Sequence, residues 1–313
     1  MGIGTHGIML HHFHDDVKHI KGQGSISAET FADMLDFYGK KYHILSAEEY
    51  LYKSNHNSLG DRDVCITFDD GLLCQYEVAY PVMKDRGLTS FMFVYTSPLD
   101  GVMEKVEIYR HFRFLKFSDI DIFYEAFFKT VEQHYPEAYA KLKFFDPSKY
   151  LIEYPFYTVN DKRFRYLRDD VLGQDKYYEI MDQMLITYDY DVEANAKLLW
   201  MHADHLKDLR NAGHIIGLHS YSHPTTMAYK TYDGQYQEYA KNKEQLEAVL
   251  GEPIVAASYP CDSYNADTLR CMRELGIQIG FRANPTNVCL EDIHLEYPRE
   301  DHANILKMME ENK

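Results

Sequence analysis

Nine residues, Asp63-Val64-Cys65-Ile66-Thr67-Phe68-Asp69-Asp70-Gly71, constrain this 313-residue chain more than any others. Val64, Ile66 and Phe68 form a short β-branched and aromatic run that suits a buried strand. Two adjacent carboxylates follow at once, and Gly71 permits a sharp turn. In parallel sheets and barrels, ligands and chemistry gather at the carboxyl ends of strands. Two neighbouring Asp side chains there repel each other unless a cation or a proton intervenes. The plainer role for the pair is capping a helix that begins near Leu72, since Asp is a good N-cap.

Two later segments repeat the pattern of an apolar run ending in polar chemistry. Gly213-His214-Ile215-Ile216-Gly217-Leu218-His219-Ser220-Tyr221-Ser222-His223-Pro224 places two His four residues apart, a spacing that shares one face of a helical turn. Two imidazoles and a carboxylate make a common ligand set that leaves metal positions open for water and substrate. The third segment is Ala257-Ser258-Tyr259-Pro260-Cys261-Asp262-Ser263-Tyr264-Asn265.

With these three motifs in this order, the sequence resembles the polysaccharide deacetylases (carbohydrate esterase family 4, the NodB homology domain). Thr67–Gly71 matches the family's Thr-Phe-Asp-Asp-Gly, His219–His223 its His-Ser/Thr-x-x-His, and Tyr259–Asn265 a variant of its third motif. The resemblance covers about Ile8–Phe93 and His205–Phe281, not the middle. It implies a distorted (β/α) barrel of about seven strands. It also implies Asp69 as catalytic base, a divalent metal, most plausibly zinc, on Asp70, His219 and His223, and the backbone N–H of Cys261 as oxyanion donor. Cys261 stands where the family usually has Tyr, and Ser258 where many members carry an Arg that orients the base.

Hydrophobic residues make up 45% and charged residues 26%, an ordinary globular balance. The formal net charge of −16 argues against nucleic acid, which is gripped mainly by Lys and Arg, and against anionic membranes. No apolar run approaches membrane-span length, and the N-terminus lacks a charged-then-apolar leader, so the expected location is cytoplasmic. The five cysteines, Cys65, Cys74, Cys261, Cys271 and Cys289, contain no C-x-x-C and read as reduced thiols.

Along the chain, Gly7–His14 reads as a strand ending in polar residues, with His12 the best fit to a family strand-end histidine. Ser27 is expected to cap a helix through Tyr38, and Ser46-Ala47-Glu48-Glu49 to open one toward Tyr52. A helix from Gly71 to Arg86 should bend at Pro81, before a strand over Thr89–Tyr95. Further helices are expected over Leu198–Ala212, Lys241–Leu250 and Ala266–Leu275, and strands over Ile215–Leu218, Val255–Tyr259 and Gln278–Phe281.

Asp70 and His219 lie 149 positions apart, far more than in typical family members. The chain is therefore expected to be one catalytic domain with an inserted cap at about 97–195. Phe123, Tyr124, Phe127, Phe128, Tyr154, Phe156 and Tyr157 make this stretch aromatic, and Ser118 is the expected cap of a helix through Val131. The cap should be mainly helical.

Two catalytic parts are missing from the motifs: a cation to orient Asp69 and an acid for the leaving amine. The tail Pro298-Arg299-Glu300-Asp301-His302 offers Arg299 for the first, by bidentate pairing, and His302 for the second. His12 and His14 are rivals for the acid, and an ordinary charged surface turn is the plainer reading of the tail. The expected activity is metal-dependent N-deacetylation of an intracellular N-acylated sugar, a nucleotide-linked or lipid-linked precursor of a surface glycan. The alternatives are a deformylase or amidase, and a carbohydrate-binding protein without turnover. An oligomer is compatible with the sequence.

Overall fold

The computed structural model describes residues 4–15, 17–152, 157–285 and 290–312. Cys289, and the aromatic residues Tyr154 and Phe156, lie outside them. Among the described residues there are eight strands: β1 (His6–Leu10), β2 (His43–Ile44), β3 (Asp63–Phe68), β4 (Ser90–Val94), β5 (Ile215–Leu218), β6 (Ala256–Ser258), β7 (Ile279–Phe281) and β8 (Arg299–Asp301). All pair in parallel, in the order β7-β6-β5-β4-β3-β1-β8, with β2 beside the start of β3. Tyr297 bridges Phe281 of β7, and the Pro298 carbonyl accepts from the Gly7 N–H of β1 at 2.9 Å. The segment running into β8 thus lies between β7 and β1, and the seven strands of this path form a nearly closed barrel.

The strands read as short apolar runs because parallel strands are covered on both faces. Every residue of β1, β3, β4, β5, β6 and β7 is buried. One core cluster joins Tyr50, Cys65, Phe91, Phe93, Ala256, Ile279, Phe281 and Tyr297. Gly7 is required by packing: a Cβ there would come within 2.9 Å of Thr67 Cγ2 and 3.1 Å of Arg299 Cγ.

Most local expectations are met. Ser27 Oγ caps Ala28–Gly39 and Ser46 Oγ caps Ala47–Asn55. The helix after Gly71 is a widened π turn over Gln75–Ala79 followed by Tyr80–Asp85, with Pro81, which has no N–H, at the start of the second piece. Three readings need correction. Asp119, not Ser118, caps the helix Ile120–His134. The helix expected from Lys241 begins at Tyr232, capped by Thr231. The helix expected from Leu198 is confined to Ala203–Asn211, because the Leu199 carbonyl and Met201 N–H pair with Leu73 and Gly71 instead.

The chain divides into two compact units. One comprises 4–104 and 198–312 of the described residues and contains the barrel; the other is Lys105–Lys197. The described elements of the second unit are all helical, including Lys105–Lys116, Ile120–His134, Val159–Arg165 and Gly173–Thr187. Phe112, Phe123, Phe127, Phe164 and Tyr177 are buried in it.

Candidate active site

The three motifs converge at the carboxyl ends of β3, β5 and β6. β3 leads into Asp69, whose N–H donates to the Leu10 carbonyl of β1 at 3.1 Å. Asp70 follows at φ +78° and Gly71 at φ +64°. This turn sends the two carboxylates to different partners, and a Cβ on Gly71 would strike Val94 Cγ1 at 2.8 Å.

Asp69 is buried and fully engaged. Arg299 donates to it bidentately, Nη1 to Oδ1 at 2.7 Å and Nη2 to Oδ2 at 2.8 Å, while Ser258 Oγ donates to Oδ1 at 3.0 Å. Arg299 is 0% exposed, so the tail is a buried strand and not a charged surface turn. Its Nε–H donates to the Arg282 carbonyl at 3.0 Å, which fixes the plane of the fork. Burial pushes the Asp69 carboxyl up, but Arg299 and then His219 outweigh it and hold the group at about 2.

Asp70 is bound differently. His219 Nε2 and His223 Nε2 lie 3.4 and 3.3 Å from Asp70 Oδ1, yet that buried oxygen has no hydrogen-bond partner. Two donors about 2.1 Å from a shared ion at tetrahedral angles sit roughly 3.4 Å apart. The separations therefore suit co-ligands better than hydrogen bonds. Asp70, His219 and His223 are also the group of His, Cys, Asp and Glu side chains, among the described residues, whose ligand atoms converge within 4.8 Å.

His219 Nδ1 faces the Ser258 carbonyl at 3.2 Å and Ser258 Oγ at 2.7 Å. A carbonyl can only accept, so Nδ1 carries the proton and Nε2 presents its lone pair toward Asp70. The His219 N–H donates to Asn242 Oδ1 at 3.0 Å, and the Asn242 amide donates to the Val94 carbonyl at 2.9 Å. Burial lowers the His219 imidazole, but Asp69 and Asp70 together raise it above its ordinary value. Burial dominates at His223 and draws it down to about 4. Neutral imidazole is the form a cation needs.

The two histidines do not share a helical face, contrary to the reading of their spacing. They follow β5 in a loop with φ +63° at Ser220 and +53° at His223. Glu238 holds this loop by accepting from Ser222 N and Oγ at 2.9 and 2.8 Å. Tyr95 packs 5.1 Å from the His223 ring and accepts a hydrogen bond from Trp200 Nε1.

Cys261 follows β6 at φ +53°, beside Asp262 at +56°. Asp262 ties this loop to the one after β7, accepting from Ala283 N at 2.6 Å and Asn284 Nδ2 at 2.5 Å. Cys261 is an exposed residue, yet partial loss of water around its sulfur, then the nearby carboxylates led by Asp70, push the thiol up to about 12. A thiolate nucleophile at neutral pH is therefore disfavoured.

His302 makes its contacts elsewhere: Nε2 donates to the Gly24 carbonyl at 3.0 Å, and Nδ1 is 3.2 Å from Asp301 Oδ1. His14 Nδ1 bonds Ser25 Oγ at 2.9 Å. Besides His219, whose Nε2 is 4.0 Å from Asp69 Oδ2, His11 faces that oxygen: its Nε2 is 3.7 Å away and its side chain is 30% exposed. His12 stacks on His11, ring centroids 6.3 Å apart. The Gln75 amide donates both to the His11 carbonyl at 2.9 Å and to the Asp69 carbonyl at 2.6 Å, tying the ends of β1 and β3 together. The sequence reading missed His11, Gln75 and the linking role of Ser258. Only the run of three histidines in His11–His14 signalled the first.

The polysaccharide deacetylase family model matches residues 184–280. Among solved structures, the fold is similar to the Streptococcus pyogenes deacetylase PplD in complex with acetate (TM-score 0.55, 16% identity, 99% of each chain covered). It is also similar to IcaB from Ammonifex degensii (TM-score 0.53, 15% identity, 95% of this chain and 88% of that one). A de-N-acetylase from Aggregatibacter actinomycetemcomitans superposes likewise (TM-score 0.54, 12% identity, 97% and 98%). No curated protein sequence matches the chain. At these identities the structural likenesses establish the fold.

Proposed function

For a chain with the fold of the polysaccharide deacetylases and a match to their family model, we propose metal-dependent hydrolysis of an N-acetyl group on a sugar. The observation that carries this reading is the pairing of opposites at the end of β3. Asp69 has every oxygen engaged, while buried Asp70 Oδ1 stands unpartnered between two imidazoles. The substrate we propose is an intracellular nucleotide-linked or lipid-linked precursor of a surface glycan, with the protein in the cytoplasm. Cys65, Cys261 and Cys271, which carry no disulfide, fit a reducing compartment.

Asp70, His219 and His223 would hold a divalent cation, zinc being the first expectation. That ion would supply a polarised carbonyl and an acidified water. Asp69 takes the proton from the attacking water. Its Oδ2 accepts only from Arg299 among the hydrogen bonds found, while Oδ1 is shared between Arg299 and Ser258. Held at about 2, Asp69 is ionised throughout the neutral range, and Arg299 keeps the carboxylate in one plane. The Cys261 N–H is the proposed donor to the oxyanion, a role that its changed side chain does not forbid. His11, beside Asp69 and partly open to water, protonates the leaving amine in this scheme, in place of His302.

The test is a panel of N-acylated sugars, nucleotide sugars and oligosaccharides, read by acetate and formate release with metal content measured in parallel. Acetate release lost in Asp69→Asn with metal retained supports the proposal. Formate release points to a deformylase, and metal binding with no acyl release to a binding protein. On a working substrate His11→Ala should lower kcat by about a hundredfold or more. Wild-type kcat in that variant returns the acid role to His302, His12 or His14.

A further inference from the structure

The paired ladder of β1 and β3 ends at Leu10 and Phe68, where the Asp69 N–H makes its last bond to the Leu10 carbonyl at 3.1 Å. The next carbonyl on each chain, that of His11 and that of Asp69, accepts from the side-chain amide of Gln75, at 2.9 and 2.6 Å. A carbonyl can only accept, so the amide nitrogen faces both and directs its two hydrogens at them. Gln75 is 0% exposed. One buried amide thus joins the backbones of the two residues that the proposed mechanism uses as acid and base, with His11 Nε2 3.7 Å from Asp69 Oδ2.

The bridge is built on an irregular turn. The Tyr80 N–H donates to the Gln75 carbonyl five residues back, a widening of the helix that recurs at functional sites. Cys74 reaches the same end of β1, its Sγ accepting from the Phe13 N–H at 3.4 Å. The two partners of Gln75 depend on it unequally. Asp69 keeps the Arg299 fork, the Ser258 hydroxyl and the Leu10 carbonyl whatever occupies position 75. His11 lies between two anchors. On one side the ladder stops at Leu10; on the other the Ile26 N–H donates to the His12 carbonyl at 3.2 Å and the His14 N–H to the Ile26 carbonyl at 3.1 Å. Between them the Gln75 amide holds the His11 carbonyl, and the imidazole beyond it is partly open to water. Loss of the bridge therefore displaces His11 more than Asp69.

We propose that Gln75 is a positioning residue that sets the distance of the acid from the base, acting through the His11 backbone. The inference rests on the deacetylase reading with His11 as its acid. In that reaction the C–N bond breaks, its electron pair goes to the nitrogen, and His11 gives that nitrogen a proton. A displacement of about 1 Å in a catalytic group can cost about a hundredfold in rate. An amine departs poorly without the proton, whereas a nitrophenolate departs as the anion and needs none. Gln75 should therefore matter for cleavage of an amide and not for cleavage of an activated ester.

The test compares wild type, Gln75→Met, His11→Ala and the double variant on an N-acetyl sugar and on p-nitrophenyl acetate, with metal content and Tm measured in parallel. Gln75→Met should lower kcat on the N-acetyl sugar by at least about tenfold, with KM and metal content unchanged. Its hydrolysis of p-nitrophenyl acetate should match wild type. In the His11→Ala background the same substitution should cost little more, because the acid that Gln75 positions is already gone. A loss of similar size on both substrates, or the full loss repeated in the His11→Ala background, makes Gln75 a structural residue only and overturns the proposal. Wild-type kcat in Gln75→Met overturns it as well. A wild type that hydrolyses no N-acetyl sugar fails at the earlier step: it refutes the deacetylase reading, and the inference falls with it. If Gln75→Met does not fold, Gln75→Asn, which keeps a buried amide shorter by one methylene, is judged by the same two comparisons.

Discussion

Buried charge is handled in opposite ways in the two units. In the barrel, Arg299 is wholly enclosed and its positive charge meets Asp69 through two short hydrogen bonds, with the Arg282 carbonyl taking the third. In the helical unit, Arg113 and Arg165 rest on aromatic rings, and no carboxylate lies within ion-pair distance of either among the described residues. A paired buried charge is costly to break because the survivor is stranded. The difference separates a charge held by an opposite charge from charges that rest on ring faces.

The sharpest way to break the comparison is Arg299→Ala. Removing one partner of a buried pair strands Asp69, and the expected loss is about 3–5 kcal/mol in urea denaturation. A loss under about 1 kcal/mol would mean that the pair is not structural. The pH dependence should change sign. In wild type the folded Asp69 pKa, about 2, lies below its ordinary 3.8. Its contribution is therefore complete above the ordinary value and is lost as pH falls from about 4 toward 2. Without Arg299, burial governs and raises the pKa, so protonation on acidification should relieve the variant. Melting curves between neutral and mildly acidic pH would show it stabilised, relative to wild type, as pH falls.

Next in size is the metal group. His219→Ala removes one of three proposed ligands and should cost at least about tenfold in zinc affinity, measured by competition with a chromophoric chelator. Occupancy equal to wild type would remove His219 from the set. Uptake by wild type should release protons, because the two carboxylates raise His219 above its ordinary value and whatever fraction is imidazolium must become neutral to serve as a ligand. Calorimetry in buffers of different ionisation enthalpy reads this directly.

Ser258→Ala is a finer probe. The hydroxyl donates to Asp69 and faces His219 Nδ1, so its loss loosens both sides of the site at once. The Arg299 fork and the Ser258 carbonyl remain, which limits the expected cost to about 1–2 kcal/mol. A neutral result would show that Arg299 alone fixes the base.

What could be read beforehand divides along the same line of local against distant. Asp69 and Asp70 were legible because a strand and its terminal turn are written in nine contiguous residues. His219 and His223 were legible as a pair but not in conformation, since a loop with two positive-φ residues brings the rings as close as a helical turn would. Arg299 was named from the chemistry that the site lacked. Its burial depends on the segment before β8 fitting between β7 and β1, a pairing across nearly the whole chain. His11 was passed over for His12 because the face a residue takes at a strand end depends on where the strand stops, and a one-residue slip reverses it.

The smallest effect tests whether the two units are separate in stability. Asp119 caps Ile120–His134 by accepting from the Asp121 N–H at 2.7 Å, and it is remote in sequence from every barrel strand. Asp119→Ala should cost about 1 kcal/mol, the usual worth of an N-cap side chain. If the helical unit opens on its own, amide exchange should quicken throughout Lys105–Lys197 by roughly fivefold, the factor that 1 kcal/mol represents. Barrel amides such as those of Ile66 and Phe91 should keep their wild-type rates. If the whole molecule unfolds as one, the slowest amides of both units should quicken together.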